Sequence, residues 1–315
     1  MNKKLTYFTP TYNRANLLEK LYNSLLNQTN KDFVWLIIDD GSSDNTKDVV
    51  SNWVKDNKIE IQYHYKQNGG KHTAMDMSNQ ICTTKYICCV DSDDYLSDNA
   101  TEVILNYIDT FANNDEIVGF VGRRANYSGE PFQTEWPQDA TCLYFDELSK
   151  KYNYKSDTIL VFKTDIIKQY HFPVIKDERF VTEIVYYNQF IRKYKFITMK
   201  ECLYLAEYQP GGYTAQGMDL FFKNPKGYLY YLKQLIYINI EDNKKFKTKV
   251  GSAASYYAWK SVLKIKDNFK NDYKIKFPYN MLGCFLQIIV KPQLKRQYED
   301  FVNRQRIKND ERKSN

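Results

Sequence analysis

Three carboxylates fall within four positions, at Asp91, Asp93 and Asp94, where the apolar run Tyr86-Ile87-Cys88-Cys89-Val90 ends. Side chains that close repel one another unless a cation or a hydrogen-bond network holds them. Oxygen ligands at the end of a buried strand suit Mg²⁺ or Mn²⁺, which bind through a few carboxylates plus substrate phosphates. The same residues also make a polar strand-to-helix turn, with Ser97 or Asp98 capping the helix that follows. Both readings stay open on these residues alone.

The elements that must position such a cluster follow from the spacing of apolar residues. Leu5 to Phe8 predicts a short strand leading to Thr9-Pro10-Thr11-Tyr12-Asn13-Arg14 and a helix from about Asn13, with Leu17, Leu21 and Leu25 recurring every fourth residue. Phe33 to Ile38 is a near-continuous apolar run, as for a strand covered on both faces. It ends at Asp39-Asp40-Gly41-Ser42-Ser43-Asp44, where Ser43 or Asp44 caps a helix that turns Val50 and Trp53 inward. Ile59, Ile61, Tyr63 and Tyr65 alternate as in a strand, and Asn68-Gly69-Gly70-Lys71 leads to a helix over about Thr73 to Cys82. Strand and helix alternating in this way imply an α/β fold: a mainly parallel central sheet with flanking helices, binding ligands beyond the strand ends.

Further along, Ile117 to Val121 and Thr158 to Phe162 predict strands, Lys163 to Tyr170 a short helix, and Arg179 to Tyr194 a longer one. Two more strands, Phe196 to Met199 and Leu203 to Tyr208, precede a glycine loop through Thr214; after Asn224-Pro225 the pattern is helical.

At 315 residues and 43% hydrophobic, the chain has the length and composition of a globular protein with one large core or two smaller ones. Its longest apolar stretch, Met281 to Val290, is half of the roughly 20 residues a membrane span needs. The start of the chain shows no apolar signal region. The cysteines at 82, 88, 89, 142, 202 and 284 form no C-x-x-C pair and no zinc spacing, which fits a reduced, cytoplasmic compartment. Charge is uneven. Residues 1–222 carry 24 basic against 30 acidic side chains, and residues 223–315 carry 21 against 8, so the overall +7 hides a tail of net +13. Such a tail suits a polyanionic partner.

Together, TPTYNR, IDDGSSDNT, NGGKHTA and VDSDDYL resemble, in order and spacing, the family-two glycosyltransferases of the GT-A (Rossmann-like) fold. The resemblance is specific over residues 5–96, looser to about 216, and carries no residue signature beyond. It implies transfer of a sugar, with inversion, from a nucleotide diphosphate sugar, usually UDP-linked, to an acceptor hydroxyl. Thr11 and Tyr12 would line the nucleoside pocket, Asp40 would accept from the base imide with Asp39 behind it, and Lys71 would meet the diphosphate. Asp91 and Asp93 form the D-x-D signature, Asp91 and Ser92 lying at the nucleotide. Asp91, Asp93 and Asp94 are the candidate ligands of Mn²⁺ or Mg²⁺, with Asp94 either sharing the ion or orienting its ligands. Glu183 is the candidate base, Asp177 and Glu178 the reserves; many relatives carry Glu-Asp where this chain has Glu183-Ile184.

The organisation expected is a GT-A domain over 1–220, with a nucleotide half at about 1–115 and an acceptor half at 116–220, then a basic helical region over 221–315. The family's common use implies synthesis of bacterial capsule, lipopolysaccharide or a related polysaccharide on a glycan or lipid-linked saccharide acceptor. For the tail, the readings are attraction to an anionic membrane surface at the inner face of the cell membrane, a lysine-rich helical subdomain, or self-association into a homo-oligomer; nucleic acid is not the expected partner. Trp136 and the loop from Tyr208 to Thr214 could touch the acceptor, although a tryptophan is usually core. The rivals are a nucleotidyltransferase, which would place a glycine-rich loop after the first strand where Thr9 to Arg14 has no glycine, and a catalytically silent sugar-nucleotide or glycan-binding module.

Overall fold

A computed structural model of the chain describes residues 3–206, 212–267, 269 and 273–314. The chain forms two compact units, Met1–Phe172 with Tyr186–Pro210 and Pro173–Val185 with Gly211–Asn315. The segment that holds Glu183 belongs to the second unit.

In chain order, the first sixteen elements are β1 (Leu5–Thr11), α1 (Ala15–Leu26), β2 (Phe33–Asp39), α2 (Thr46–Asp56), β3 (Ile61–Tyr65), α3 (Lys71–Ile81), β4 (Tyr86–Cys89), β5 (Tyr95–Leu96), α4 (Ala100–Phe111), β6 (Ile117–Ala125), β7 (Cys142–Leu143), α5 (Phe145–Tyr152), β8 (Thr158–Lys163), α6 (Thr164–Ile167), α7 (Ile184–Tyr187) and β9 (Lys195–Leu205). The strands make one sheet in the order β3-β2-β1-β4-β8-β6-β9-β5, with β7 on β9. From β3 to β4 the pairing is parallel, as expected. Beyond β4 it is mixed: β8 runs antiparallel to β4 and β6, β6 pairs parallel with β9, and β5 and β7 are antiparallel to β9.

Every residue of β1 and β2 is buried; for β2 this is what a near-continuous apolar run requires of a strand covered on both faces, and β1 buries three threonines as well. Leu18, Leu21, Tyr22 and Leu25 put the apolar stripe of α1 on that sheet. Its Tyr22 ring stacks on Trp53 of α2 at 4.3 Å, and both lie about parallel to Trp35 of β2, joining both helices to one strand. Trp136 is core too: it is buried, its Nε1 donates to Met199 O at 2.8 Å, and its ring meets Tyr154 edge-on.

Three local expectations differ from the fold. The helix read over Arg179 to Tyr194 shrinks to α7 followed by turns. Val181, Thr182, Ile184 and Val185 are β-branched and favour helix weakly. The strands read at Phe196 to Met199 and Leu203 to Tyr208 are one strand, β9, running through the polar Lys200 and Glu201. Neither Ser97 nor Asp98 is the cap of α4: Asn99 is, without a side-chain hydrogen bond, and Ser97 contributes only its carbonyl to Ala100 N.

The second unit holds α8 (Tyr213–Gln216), α9 (Met218–Lys223), α10 (Pro225–Glu241), α11 (Phe246–Val262) and α12 (Tyr279–Ser314). Its core gathers Phe222, Leu229, Ile236, Trp259, Leu294 and Phe301, with Phe222 and Trp259 stacked at 5.1 Å. Glu178 accepts from Lys226 N and Gly227 N, both at 2.7 Å, satisfying free N–H groups at the start of α10.

Candidate active site

The ends of β1 and β2 are latched together. Asp40 N donates to Thr11 O at 2.8 Å. Asn13, held in the left-handed region at φ 51, accepts through Oδ1 from Ser43 N at 2.7 Å, and its own N donates to Ser42 Oγ. Asp44 serves two helices at once, accepting from Thr46 N of α2 and from Ala15 N of α1. Burial works against ionising its carboxyl, but these bonds and that of Thr46 Oγ1 hold it below the ordinary carboxylate range. Tyr12 sits on this latch with 46% of its surface exposed. Thr11 Oγ1 is buried and has no hydrogen-bond partner among the described residues.

Asp39 and Asp40 are both buried. Asp39 accepts from Ser42 N and from the Tyr63 hydroxyl, at 2.7 and 2.6 Å. Asp40 Oδ1 accepts from Lys66 Nζ at 2.6 Å and Gly69 N at 2.9 Å, while Oδ2 accepts from Gly70 N at 2.7 Å. One carboxylate thus fixes the glycine turn that opens α3. Gly41, at φ +88, lets the β2 turn pass so near Asn68 that a Cβ would stand 2.7 Å from its N; only glycine suits such a position. In the same turn and helix start, Asn68 Oδ1 and His72 Nδ1 are buried without partners among the described residues. Native folds rarely leave buried polar atoms unpaired, and three here lie on the loops read as binding a nucleotide.

Each carboxylate of the opening cluster has its own cation. Lys71 Nζ lies 2.6 Å from Asp91 Oδ1 and Arg14 Nη1 3.1 Å from Asp93 Oδ2. Arg14 also reaches the Oγ of buried Ser92 at 3.3 Å. Asp94 turns into the fold, where its Oδ2 accepts from Arg124 Nη2 of β6 at 2.9 Å and from the Tyr204 hydroxyl of β9 at 2.7 Å. That hydroxyl in turn accepts from Asp91 N at 2.9 Å, and the Arg124 guanidinium lies over the Tyr204 ring at 4.1 Å. Burial opposes ionisation of Asp91, but Lys71, Arg124 and Arg14 together hold its carboxyl below the usual range. For Asp94 burial prevails over Arg124, pushing the carboxyl up to about 7.

Among the described residues no three His, Cys, Asp or Glu side chains are gathered as a metal site. The donor chemistry still fits an oxygen-loving ion through two residues. Asp91 and Asp93 keep 30% and 17% of their side chains exposed, whereas Asp94 keeps 8% and is bound inward. Two carboxylates, completed by phosphate and water, are a usual Mg²⁺ environment.

Of the other candidates, Glu183 lies in the second unit directly before α7. Glu178 is used to cap α10, and burial raises its carboxyl above the ordinary range despite those two N–H bonds. Asp177 holds a left-handed backbone at φ 68. The Tyr208 to Gly211 part of the expected acceptor loop lies outside the described residues. Arg14, Lys66, Arg124 and Tyr204 were not singled out by sequence reasoning. The only trace of Arg124 was a basic pair, Arg123-Arg124, interrupting a strand; Tyr204 left none.

The chain matches the glycosyl transferase family 2 over residues 6–177. It is 27% identical over 288 residues, covering 87% of each chain, to the GalNAc(5)-diNAcBac-PP-undecaprenol beta-1,3-glucosyltransferase of Campylobacter jejuni. Among solved structures it resembles S. aureus TarS 1-349 in complex with UDP-GlcNAc, with TM-score 0.57 and 16% identity, covering 81% of each chain. It also resembles the mannosyltransferase PcManGT of Pyrobaculum calidifontis in complex with GDP-Man and Mn²⁺, with TM-score 0.54 and 13% identity, covering 95% of this chain and 88% of that one. The fold is that of the GT-A glycosyltransferases. Because the family match takes in all four motif loops and more than half of the 315 residues, the chain belongs to glycosyl transferase family 2.

Proposed function

We propose that this glycosyltransferase moves a sugar, with inversion, from a UDP-linked donor to a hydroxyl of a lipid-linked or growing saccharide in bacterial surface-polysaccharide synthesis, at the cytoplasmic side of the membrane. The observation that carries the reading is the shared edge of the parallel strands: β1, β2, β3 and β4 each end in a motif loop, and two partly exposed carboxylates there are matched by Lys71 and Arg14. The nucleotide sugars bound by TarS and the mannosyltransferase support a donor of that class, and the Campylobacter enzyme's name supports a polyprenol-linked acceptor.

In this reading Tyr12 stacks on the base and Thr11 Oγ1 gains a partner. A carboxylate offers about four lone-pair positions; three on Asp40 are taken by Lys66, Gly69 and Gly70, leaving one for the base imide. Asp39 holds the turn behind it, and Ser92 keeps Arg14 beside the carboxylates. Asp91 and Asp93 would hold Mn²⁺ or Mg²⁺, which supplies charge neutralisation for the departing nucleoside diphosphate. Lys71 adds positive charge on the same side. Asp94 orients Asp91 through Tyr204. Glu183 takes the acceptor's proton. The transferase portion is taken to span 1–220, with the nucleotide half to about 115.

Purified protein given a panel of UDP-sugars with Mn²⁺ or Mg²⁺ should release UDP from one of them. Asp93→Asn and Glu183→Gln should each lower turnover by about 10² or more, as expected for losing a charge clamp or a general base. Parent-like turnover in both variants would refute the assignment.

A further inference from the structure

We propose that the first half of α12, with Phe277 just before it, forms a patch that inserts into the headgroup layer of an anionic lipid bilayer. The helix has two apolar faces. On one, Val290, Leu294, Tyr298 and Phe301 belong to or pack on the core of the second unit, and Gly283 approaches α11 so closely that a Cβ would stand 2.5 Å from Ala253 Cβ. At 3.6 residues per turn, Met281, Phe285, Ile288 and Ile289 fall on the opposite side, which the Gly283 contact turns away from α11. Phe285, Ile288 and Ile289 are 71 to 72% exposed, and Phe277 just before the helix 74%.

Its surroundings select the partner. Exposed Lys274, Lys276, Lys291 and Lys295 flank it in sequence, within a region of net +13. A two-fold contact between copies would set this basic rim against itself, since such interfaces pair a surface with its own image. An anionic bilayer answers both the apolar centre and the basic rim. Among the described residues no helix is long and apolar enough to cross a membrane, so the patch lies along the surface.

The test is sedimentation of the full chain with vesicles of phosphatidylcholine alone or with about one third phosphatidylglycerol. The parent should pellet with the anionic vesicles at least about tenfold more strongly than with neutral ones, and less as salt rises. Phe285→Ser/Ile289→Ser, altered only at exposed positions, should lose at least tenfold of that binding while keeping the parent's helical circular dichroism. Equal pelleting of the double variant, no preference for anionic vesicles, or a concentration-dependent dimer abolished by the same double variant would each overturn the proposal. The readout is binding alone, so it stands apart from the transferase assay.

Discussion

Asp94 and His72 are buried in two of the motif loops, and their pKa values move in opposite senses. Burial, set against the pull of Arg124, raises the Asp94 carboxyl from 3.8 to about 7. Burial likewise lowers the His72 imidazole from 6.5 to about 4, although the Asp40 charge resists. A carboxyl with a raised folded pKa binds its proton more tightly folded than unfolded. Asp94 therefore stabilises the fold fully below 3.8 and loses that contribution as pH rises through about 7. At about 1.36 kcal/mol per pH unit the loss is about 4 kcal/mol. His72 is the reverse: its contribution is complete above 6.5 and lost as pH falls through about 4, an effect of about 3 kcal/mol. Between about pH 4 and 7 the two slopes oppose and nearly cancel. Asp94→Asn removes the falling contribution, so its stability relative to the parent should climb with pH across the window; His72→Gln should fall. Urea unfolding at several pH values, each variant subtracted from the parent, isolates these terms from every other titrating group. Flat differences within about 1 kcal/mol, or slopes of the same sign, would show that burial does not govern these groups.

Two further substitutions probe the scaffold. Gly119→Ala should cost about 3 kcal/mol or more in unfolding free energy, because the new Cβ would stand 1.8 Å from Val161 O on the paired strand β8, where only backbone displacement relieves it. Asp44→Ala should cost about 2 kcal/mol, roughly one per helix start lost, and Asp44→Asn distinctly less; equal stability of the two variants would count against its shared cap.

The parallel half of the sheet was legible because its strands show either a near-continuous apolar run or apolar residues at every second position, closed by Gly, Asn or Asp, signals that act within a few residues. Phe33 to Asp39 needs no distant information to be a buried strand. The division of labour among the three aspartates was not legible, since Arg124 and Tyr204 reach Asp94 from β6 and β9, 30 and 110 residues away in sequence. Those partners come from register across the sheet, which periodicity does not encode. The failed helix over Arg179 to Tyr194 has another cause. Its apolar spacing is helical, but Tyr186 and Phe190 are drawn into an aromatic cluster with Phe172 and Phe162, and that packing prevails over a weak local preference.

Each aspartate is matched by one cation, and the three pairs differ in burial. Removing either member of a buried ion pair strands a charge and costs about 3–5 kcal/mol, so the inward Arg124–Asp94 pair is the part least free to change. Lys71–Asp91 and Arg14–Asp93 keep 17 to 37% of each side chain exposed, so water can replace a lost partner there more readily than at the inward pair. On the proposed reading, Asp91 and Asp93 would hold the divalent ion while Lys71 and Arg14 would turn to the donor's diphosphate, so that these four side chains would exchange partners with net charge unchanged. Asp94 could not join such an exchange without giving up Arg124 and Tyr204, so the carboxylate next in sequence to Asp93 would hold the site in place rather than bind the ion.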